Sequence, residues 1–230
     1  MAKTTICGSH SSMWKVALPS MMGLSVLAGT LFVSAGRLNI PFFWACLGVM
    51  AVAGIVVVSQ MDRELLHERV RPGPGGIDRH LRVMILPFFF GHLVVAGLDV
   101  GRYDWSGRLP VAVQVVALME IIVSIAFSAW AVRTNRFFSP VVRIQQERGH
   151  HVVTSGPYRW IRHPGYAAVI YWMMASGPAL GSWYSMIPIV PALGLILRRA
   201  IIEDRFLHEH LDGYVDYAGR VRYRLVPGLW

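Results

Sequence analysis

"PVAVQVVALMEIIVSIAFSAWAV" occupies residues 110–132 and contains a single ionisable side chain, Glu120. A helix needs roughly 20 apolar residues to cross the hydrocarbon core of a bilayer, and this run supplies them with no polar face. Working outward, residues 16–35, 40–59 and 81–100 are comparable runs, while 164–181 and 183–197 are shorter and carry Pro178, Pro188 and Pro191. The last two are expected to form a helical hairpin. The fold class expected is therefore all-α: a polytopic helical membrane protein with about six transmembrane helices, or five if the hairpin dips into the bilayer without crossing it twice.

Composition agrees. Of 230 residues, 54% are hydrophobic and 15% charged, and the mean hydropathy is +0.47, outside the range of ordinary soluble domains. The formal charge of +9 would suggest nucleic acid in a soluble protein, but here the basic residues lie between apolar runs and form no single stripe. No nucleic-acid partner is expected. With the N-terminus placed inside, the inner segments 1–15, 60–82, 133–163 and 198–230 hold 19 of the 22 Lys and Arg, leaving Arg37, Arg102 and Arg108 outside. That asymmetry is the positive-inside pattern, so both termini are expected in the cytoplasm.

Several readings are set aside on chemistry. Cys7 and Cys46 are too far apart for a CxxC metal site or a disulfide framework, and no metal is expected. Val33-Ser34-Ala35 imitates a signal-peptide cleavage site, but further spans behind it argue for a membrane anchor. No cysteine stands in the final four residues, so the chain is not expected to be prenylated itself. The loop sequence "RVRPGPGGIDRH", residues 69–80, is glycine-rich but lacks the GxGxxG spacing and a preceding strand, and reads as a basic connector. His92 and Glu120 lie within spans, where ionisable groups are costly. Both are expected to face the bundle interior, paired together or lining a substrate tunnel.

Chemistry concentrates in two segments of one membrane face. The first, "HHVVTSGPYRWIRHPGY", covers residues 150–166. Ser155-Gly156-Pro157 favours a turn, and Pro164 suits the first turn of the next helix because its missing N–H needs no partner there. The second, "RRAIIEDRFLHEH", residues 198–210, puts Arg199 and Glu203 four apart on one helix face. By itself it would read as an interfacial helix with a surface salt bridge. A hairpin of apolar helices brings the two segments back together, and a pocket between them would be part polar, part apolar.

The order His150-x-x-x-Thr154-x-Gly156-x-Tyr158, Arg162-His163-Pro164-x-Tyr166, Arg199-x-x-x-Glu203-Asp204 and Tyr214-x-x-Tyr217 resembles the isoprenylcysteine carboxyl methyltransferase family and its phospholipid-methyltransferase relatives. The resemblance covers residues 150–227; the earlier helices carry no such signature. It implies a cytoplasmic C-terminal region, within 136–230, that encloses S-adenosylmethionine without a Rossmann fold, behind transmembrane helices in 1–135. A lipid-like or prenylated acceptor would arrive from the bilayer. The resemblance implicates His150, Thr154, Gly156, Tyr158, His163, Tyr166, Glu203 and Tyr214 in cofactor binding, with Tyr217 closing the tail. The family's second acid is usually Glu where this chain has Asp204, and its Phe-Gly before the tyrosines is replaced here by "LDGY".

Methyl transfer from a sulfonium is an in-line displacement, so alignment and water exclusion dominate. A carboxylate acceptor is already ionised and needs no general base. It needs a cationic fork, for which Arg199 is the first candidate and Arg162 the second. Glu203 is expected to accept hydrogen bonds from cofactor hydroxyl or amino groups, and His150 or His163 to hold the carboxylate or adenine end. Tyr158, Tyr166 and Trp172 are candidates to present ring faces to the sulfonium; Trp105, Trp183 and Trp230 read as interfacial anchors. Two other activities fit part of the pattern. A lipid amine or small thiol acceptor would make Glu203 or a histidine a base, and an NADPH-dependent sterol reductase would share Arg-His-Pro-x-Tyr and the "VRYRLVP" end. A noncatalytic membrane module is the remaining reading, and the density of polar groups argues against it.

Overall fold

The computed structural model describes residues 10–74 and 76–230, with backbone alone for 10–20 and 82. Lys3 and Cys7 lie outside the described residues. Among the described residues eight α-helices follow one another: α1 His10–Ala35, α2 Pro41–Ser59, α3 Arg63–Val70, α4 Leu81–Leu98, α5 Val111–Thr134, α6 Pro164–Leu180, α7 Met186–His210 and α8 Tyr214–Arg220. Among the described residues there is no strand, only an isolated bridge between Ile77 and Val142. Among the described residues three segments are long and apolar enough to cross a membrane: Pro41–Ser59, Val83–Tyr103 and Val111–Thr134; Met21–Ala35 is a shorter apolar stretch. The chain is an integral membrane protein.

The apolar surface is distributed as lipid solvation requires. Val33, Val52, Ile55, Val116, Val123, Ile187 and Val190 are exposed on the outside, while helix contacts are made by smaller or interdigitating side chains. Ala117 and Ile121 of α5 pack on Ala175 and Ala179 of α6, the close approach that small residues permit when lipid gives no hydrophobic drive to association. Phe43, Leu31 and Ala96 join α1, α2 and α4; Met173, Ile189 and Ala192 join α6 to α7. At Gly101 a Cβ would stand 2.4 Å from the Ala35 backbone, so glycine sets how near α4 comes to α1.

Polar ties fix the two ends. At the end of α4, a π-helical turn over Asp99–Tyr103 buries Asp99, which accepts from Ser106 N (2.8 Å) and from Ser182 of the α6–α7 turn. Arg102 donates to Ser34 O and Val33 O, capping the last carbonyls of α1. Trp105 and Trp183 are exposed here beside Tyr103 and Tyr184, as the expected interfacial belt would be. Trp230 differs: it packs with the Ile161–Leu225 cluster under the Arg224 guanidinium.

Three expectations need correction. Pro188 and Pro191 do not break the second half of the hairpin: α7 runs unbroken from Met186 to His210, about 38 Å at 1.5 Å per residue. Its polar half is thus the continuation of an apolar helix, and Arg199 and Asp204 on it are buried. Finally, His92 and Glu120 are not paired. His92 lies inside, donating from Nδ1 to Ser185 O at 2.9 Å, whereas Glu120 is exposed on the outer surface.

Candidate functional site

The site is built where α6 begins. Gly156 takes φ +55, and a Cβ there would meet Thr134 Oγ1 at 2.6 Å, so glycine lets the chain turn tightly against the end of α5. The following 3-10 turn, Gly156–Arg159, buries Tyr158, whose hydroxyl accepts from Asn135 Nδ2 at 3.1 Å and whose carbonyl accepts from Tyr217 OH at 2.7 Å. Pro164 occupies the first position of α6, which points His163 and Tyr166 toward α7.

Asp204 organises these pieces. Its side chain is 2% exposed. Oδ1 accepts from Arg162 Nε (2.8 Å), His163 Nε2 (3.1 Å) and Tyr214 OH (2.9 Å), and Oδ2 from Arg162 Nη2 (3.1 Å) and Arg224 Nε (2.8 Å). Burial alone would raise its pKa, but the hydrogen bonds from His163, Arg162 and Arg224 outweigh it and hold the carboxyl far below the usual range. Arg162 has a third tie, Nη1 to Val221 O and Arg222 O, both 2.9 Å. Expected as the second candidate for an acceptor fork, it is instead committed to protein oxygens and binds the C-terminal tail to the start of α6.

Arg199 and Glu203 are arranged differently. They share a face of α7 as their spacing requires, yet Tyr166 stands between them: Arg199 Nε donates to Tyr166 OH, which donates to Glu203 Oε2, both at 2.6 Å. Arg199 Nη2 donates to Pro140 O at 2.6 Å, and Nη1 has no acceptor among the described residues. Glu203 Oε1 lies 3.9 Å from His163 Nδ1. An oriented cation and a half-buried carboxylate therefore stand side by side, each with capacity left for a ligand.

Both line a cavity of about 350 Å³, toward the lower end of small-molecule sites. His150, Tyr158, Arg162, His163, Tyr166, Tyr214 and Tyr217 line it too, uniting most of the residues singled out by the motifs. On its apolar side are Leu81 and Ile85 of α4, Val169 of α6 and Ile196 of α7. His150 stacks on Phe137 (4.4 Å) and its Nδ1 accepts from Gln145 N, which leaves the proton on Nε2. Burial first, then the positive charges of His151, Arg143 and Arg148, push this imidazole down to about 4. Thr154, Gly156 and Trp172 do not line the cavity. Thr154 is exposed; Trp172 lies deeper, against Phe89.

Sequence reasoning missed the opposite wall. It comes from residues 135–143, with Phe137, Phe138 and Pro140 in the lining, and from Arg69 of α3, whose guanidinium sits 5.2 Å over the Phe138 ring. A buried ion pair holds this wall: Arg143 donates from Nε and Nη2 to the Glu68 carboxylate at 2.9 and 2.7 Å, and Ser139 Oγ adds a third bond at 2.7 Å. Burial would raise Glu68, but the bonds from Arg143, Ser139 and Gly73 prevail and bring it to about 2. The only available signal was the aromatic "NRFFSP" stretch in a basic loop.

Comparison with known proteins falls on this region. Residues 115–209 match the model of the isoprenylcysteine carboxyl methyltransferase (ICMT) family. A "Probable protein-S-isoprenylcysteine O-methyltransferase" of Oryza sativa subsp. indica is 30% identical over 112 residues, 47% of this chain and 59% of that protein. The "Protein-S-isoprenylcysteine O-methyltransferase" of Xenopus laevis is 28% identical over 86 residues, 36% of this chain and 30% of its own. That of Saccharomyces cerevisiae is likewise 28% identical over 86 residues, 36% of each chain. The chain thus spans less than two thirds of the length of these curated relatives; the family likeness expected over residues 150–227 is borne out as far as residue 209, while the match begins earlier than expected, within α5, and ends before Tyr214 and Tyr217.

Proposed function

We propose that this chain, whose residues 115–209 carry the ICMT family's pattern, is an integral membrane methyltransferase that uses S-adenosylmethionine to methylate the carboxylate of a C-terminal isoprenylcysteine or a similar lipid-like acceptor. The observation that carries the reading is the cavity itself: a guanidinium and a carboxylate with capacity left for a ligand, Arg199 and Glu203, beside several aromatic faces on one side, and aliphatic side chains from three helices on the other. Residues 1–135 then form the transmembrane scaffold and 136–230 the methyltransferase core. In this reading α1, α6 and α7 join the three clear spans to make six, with both termini cytoplasmic.

The donor set fits the cofactor's chemistry. His150 Nε2–H suits an amino-acid carboxylate or adenine nitrogen, Glu203 suits hydroxyl or amino groups, and the faces of Tyr158, Tyr166 and Tyr214 suit a sulfonium, each such contact contributing about 0.5–2 kcal/mol; the spare Arg199 nitrogen is left for the acceptor. His163, locked by Asp204, presents its other nitrogen toward Glu203. Thr154 and Gly156 shape the turn beneath. When bound, S-adenosylmethionine supplies an electrophilic methyl group; the protein's own residues do the rest by placement.

Arg199 is fixed by Tyr166 and Pro140 and holds the acceptor carboxylate in line, while Glu203, through Tyr166, keeps the guanidinium oriented. The aliphatic side holds the lipid portion and excludes water. Because the nucleophile is ionised at neutral pH, no proton has to be removed.

The test is methyl transfer by the purified, reconstituted protein to an S-farnesylcysteine carboxylate, a phosphatidylethanolamine and a small thiol in parallel. Transfer to the first alone supports the reading. Transfer to the amine or thiol with a steep rise in rate with pH would move the acceptor to the other class, with Glu203 as base.

A further inference from the structure

Tyr158, Tyr166, Tyr214 and Tyr217 line the cavity, and each hydroxyl has one proton to place. Tyr166 donates its own to Glu203 Oε2, Tyr214 to Asp204 Oδ1 and Tyr217 to the Tyr158 carbonyl. Tyr158 is different. Its hydroxyl oxygen accepts from Asn135 Nδ2 at 3.1 Å, and among the described residues no atom accepts its proton. The direction of that bond is set by Asn135 itself, the residue that follows α5. Asn135 Oδ1 accepts from Phe137 N at 2.9 Å, the local turn that asparagine side chains favour, so the amide nitrogen is the atom left to face Tyr158. The tyrosine is 7% exposed. Burial above all, opposed by the Asn135 bond and reinforced by the nearby charge of Glu203, raises the pKa of the phenol. It therefore meets the cavity as an O–H.

The same short stretch sets a second neutral donor. The Phe137 ring stacks on His150 at 4.4 Å, and the His150 proton lies on Nε2 because Nδ1 accepts from Gln145 N. Positive charge from Arg143 and Arg148 acts on His150, so this wall favours an anion. Glu203, whose charge reaches Tyr158, favours a cation. An α-amino acid zwitterion carries both charges a few bonds apart, and S-adenosylmethionine ends in one. We propose that the Tyr158 hydroxyl donates to the α-carboxylate of the cofactor's amino-acid end, with Glu203 taking the adjacent ammonium, and that Asn135 is the positioning residue that turns the Tyr158 proton into the cavity. This rests on the cavity holding a methyl-donor cofactor, and it adds which end of that cofactor meets residues 135–158. Arg199 is left to the acceptor.

The test is calorimetric titration of the full-length protein with S-adenosylhomocysteine, which keeps the amino-acid end, and with methylthioadenosine, which lacks it. Wild type, Tyr158→Phe, Asn135→Asp and the double variant are compared. Phe removes the donor and keeps the ring. Asp keeps the turn at Phe137 N, but its second oxygen accepts from Tyr158 and draws the proton out of the cavity. Affinity for S-adenosylhomocysteine should fall about 10- to 100-fold in each single variant, the loss of one hydrogen bond to a charged group. The double variant should bind within about twofold of Tyr158→Phe, because both changes act through one proton. Methylthioadenosine should bind all four alike, which also shows that the variants are folded. Unchanged S-adenosylhomocysteine affinity in either single variant, losses that add in the double variant, or equal losses for the two ligands would each overturn the proposal and leave the methyl-donor site standing. A folded wild-type protein that binds neither ligand would overturn both.

Discussion

Replacing Asp204 by Asn changes one oxygen to an amide and leaves the shape almost unaltered, so it isolates the electrostatic role of the hub. The carboxylate accepts five hydrogen bonds, from Arg162 twice, His163, Tyr214 and Arg224. Charge-assisted bonds contribute about 1.5–3 kcal/mol each, but five on one carboxylate do not add. The more useful figure is the cost of breaking a buried pair, about 3–5 kcal/mol, because Arg162 is left buried without its counter-charge. The amide also points an N–H toward either the Arg162 or the Arg224 guanidinium, donor against donor. We expect Asp204→Asn to lose about 3–5 kcal/mol in reversible unfolding from mixed detergent–SDS micelles. The tail held by Arg162 and Arg224 should become protease-sensitive at the same time. A variant within about 1 kcal/mol of wild type, with the tail still protected, would refute the hub.

Arg199→Lys keeps the charge but loses the Tyr166 and Pro140 bonds that a guanidinium makes together; methyl transfer should fall about 100-fold or more while thermal stability changes little, measured by initial rates and scanning fluorimetry. Glu68→Ala strands Arg143 and should destabilise the protein by about 3–5 kcal/mol, as read from the same SDS titration. Gly156→Ala forces a side chain into φ +55 and onto Thr134, at a cost of about 1–2 kcal/mol. Thr134→Ala in the same chain should recover part of that loss, since it relieves the contact but not the backbone. His150 is held to about 4 in the folded chain against an ordinary 6.5, and Glu68 to about 2 against 4.5. The unfolded chain therefore binds more protons between these values, and stability contributed by both groups is present above pH 6.5 and declines as pH falls, first through the histidine window and then the glutamate window. Melting temperatures that rise on acidification from pH 7 to 5 would contradict this.

The spans were legible because lipid demands a continuous apolar surface, and a run such as residues 110–132 can satisfy nothing else. The motif residues that line the cavity were legible because the turn-and-helix chemistry around Gly156 and Pro164 is local, and the i,i+4 spacing of Arg199 and Glu203 fixes a shared face. Contacts between distant segments were not. Nothing in periodicity announces that Glu68 meets Arg143 across 75 positions, or that Tyr166 is inserted between Arg199 and Glu203. Arg162 and Arg199 look alike in sequence, and only the accounting of their donors separates a committed tie from a group with capacity left. Thr154 sits in the motif yet is exposed and outside the cavity lining, which the chain leaves after Val153. Pro188 and Pro191 read as breaks, but the first falls in the opening turn of α7, and the helix continues through the second because its neighbours hold it.

The central claim is that the cavity around Arg199 and Glu203 binds a methyl-donor cofactor. It is tested most directly by calorimetric titration of the purified protein with S-adenosylhomocysteine, beside Glu203→Ala and with NADPH as control. Saturable binding of S-adenosylhomocysteine that the variant loses, with no heat from NADPH, is the result predicted. Absence of binding by the folded wild-type protein, or binding of NADPH alone, would contradict it.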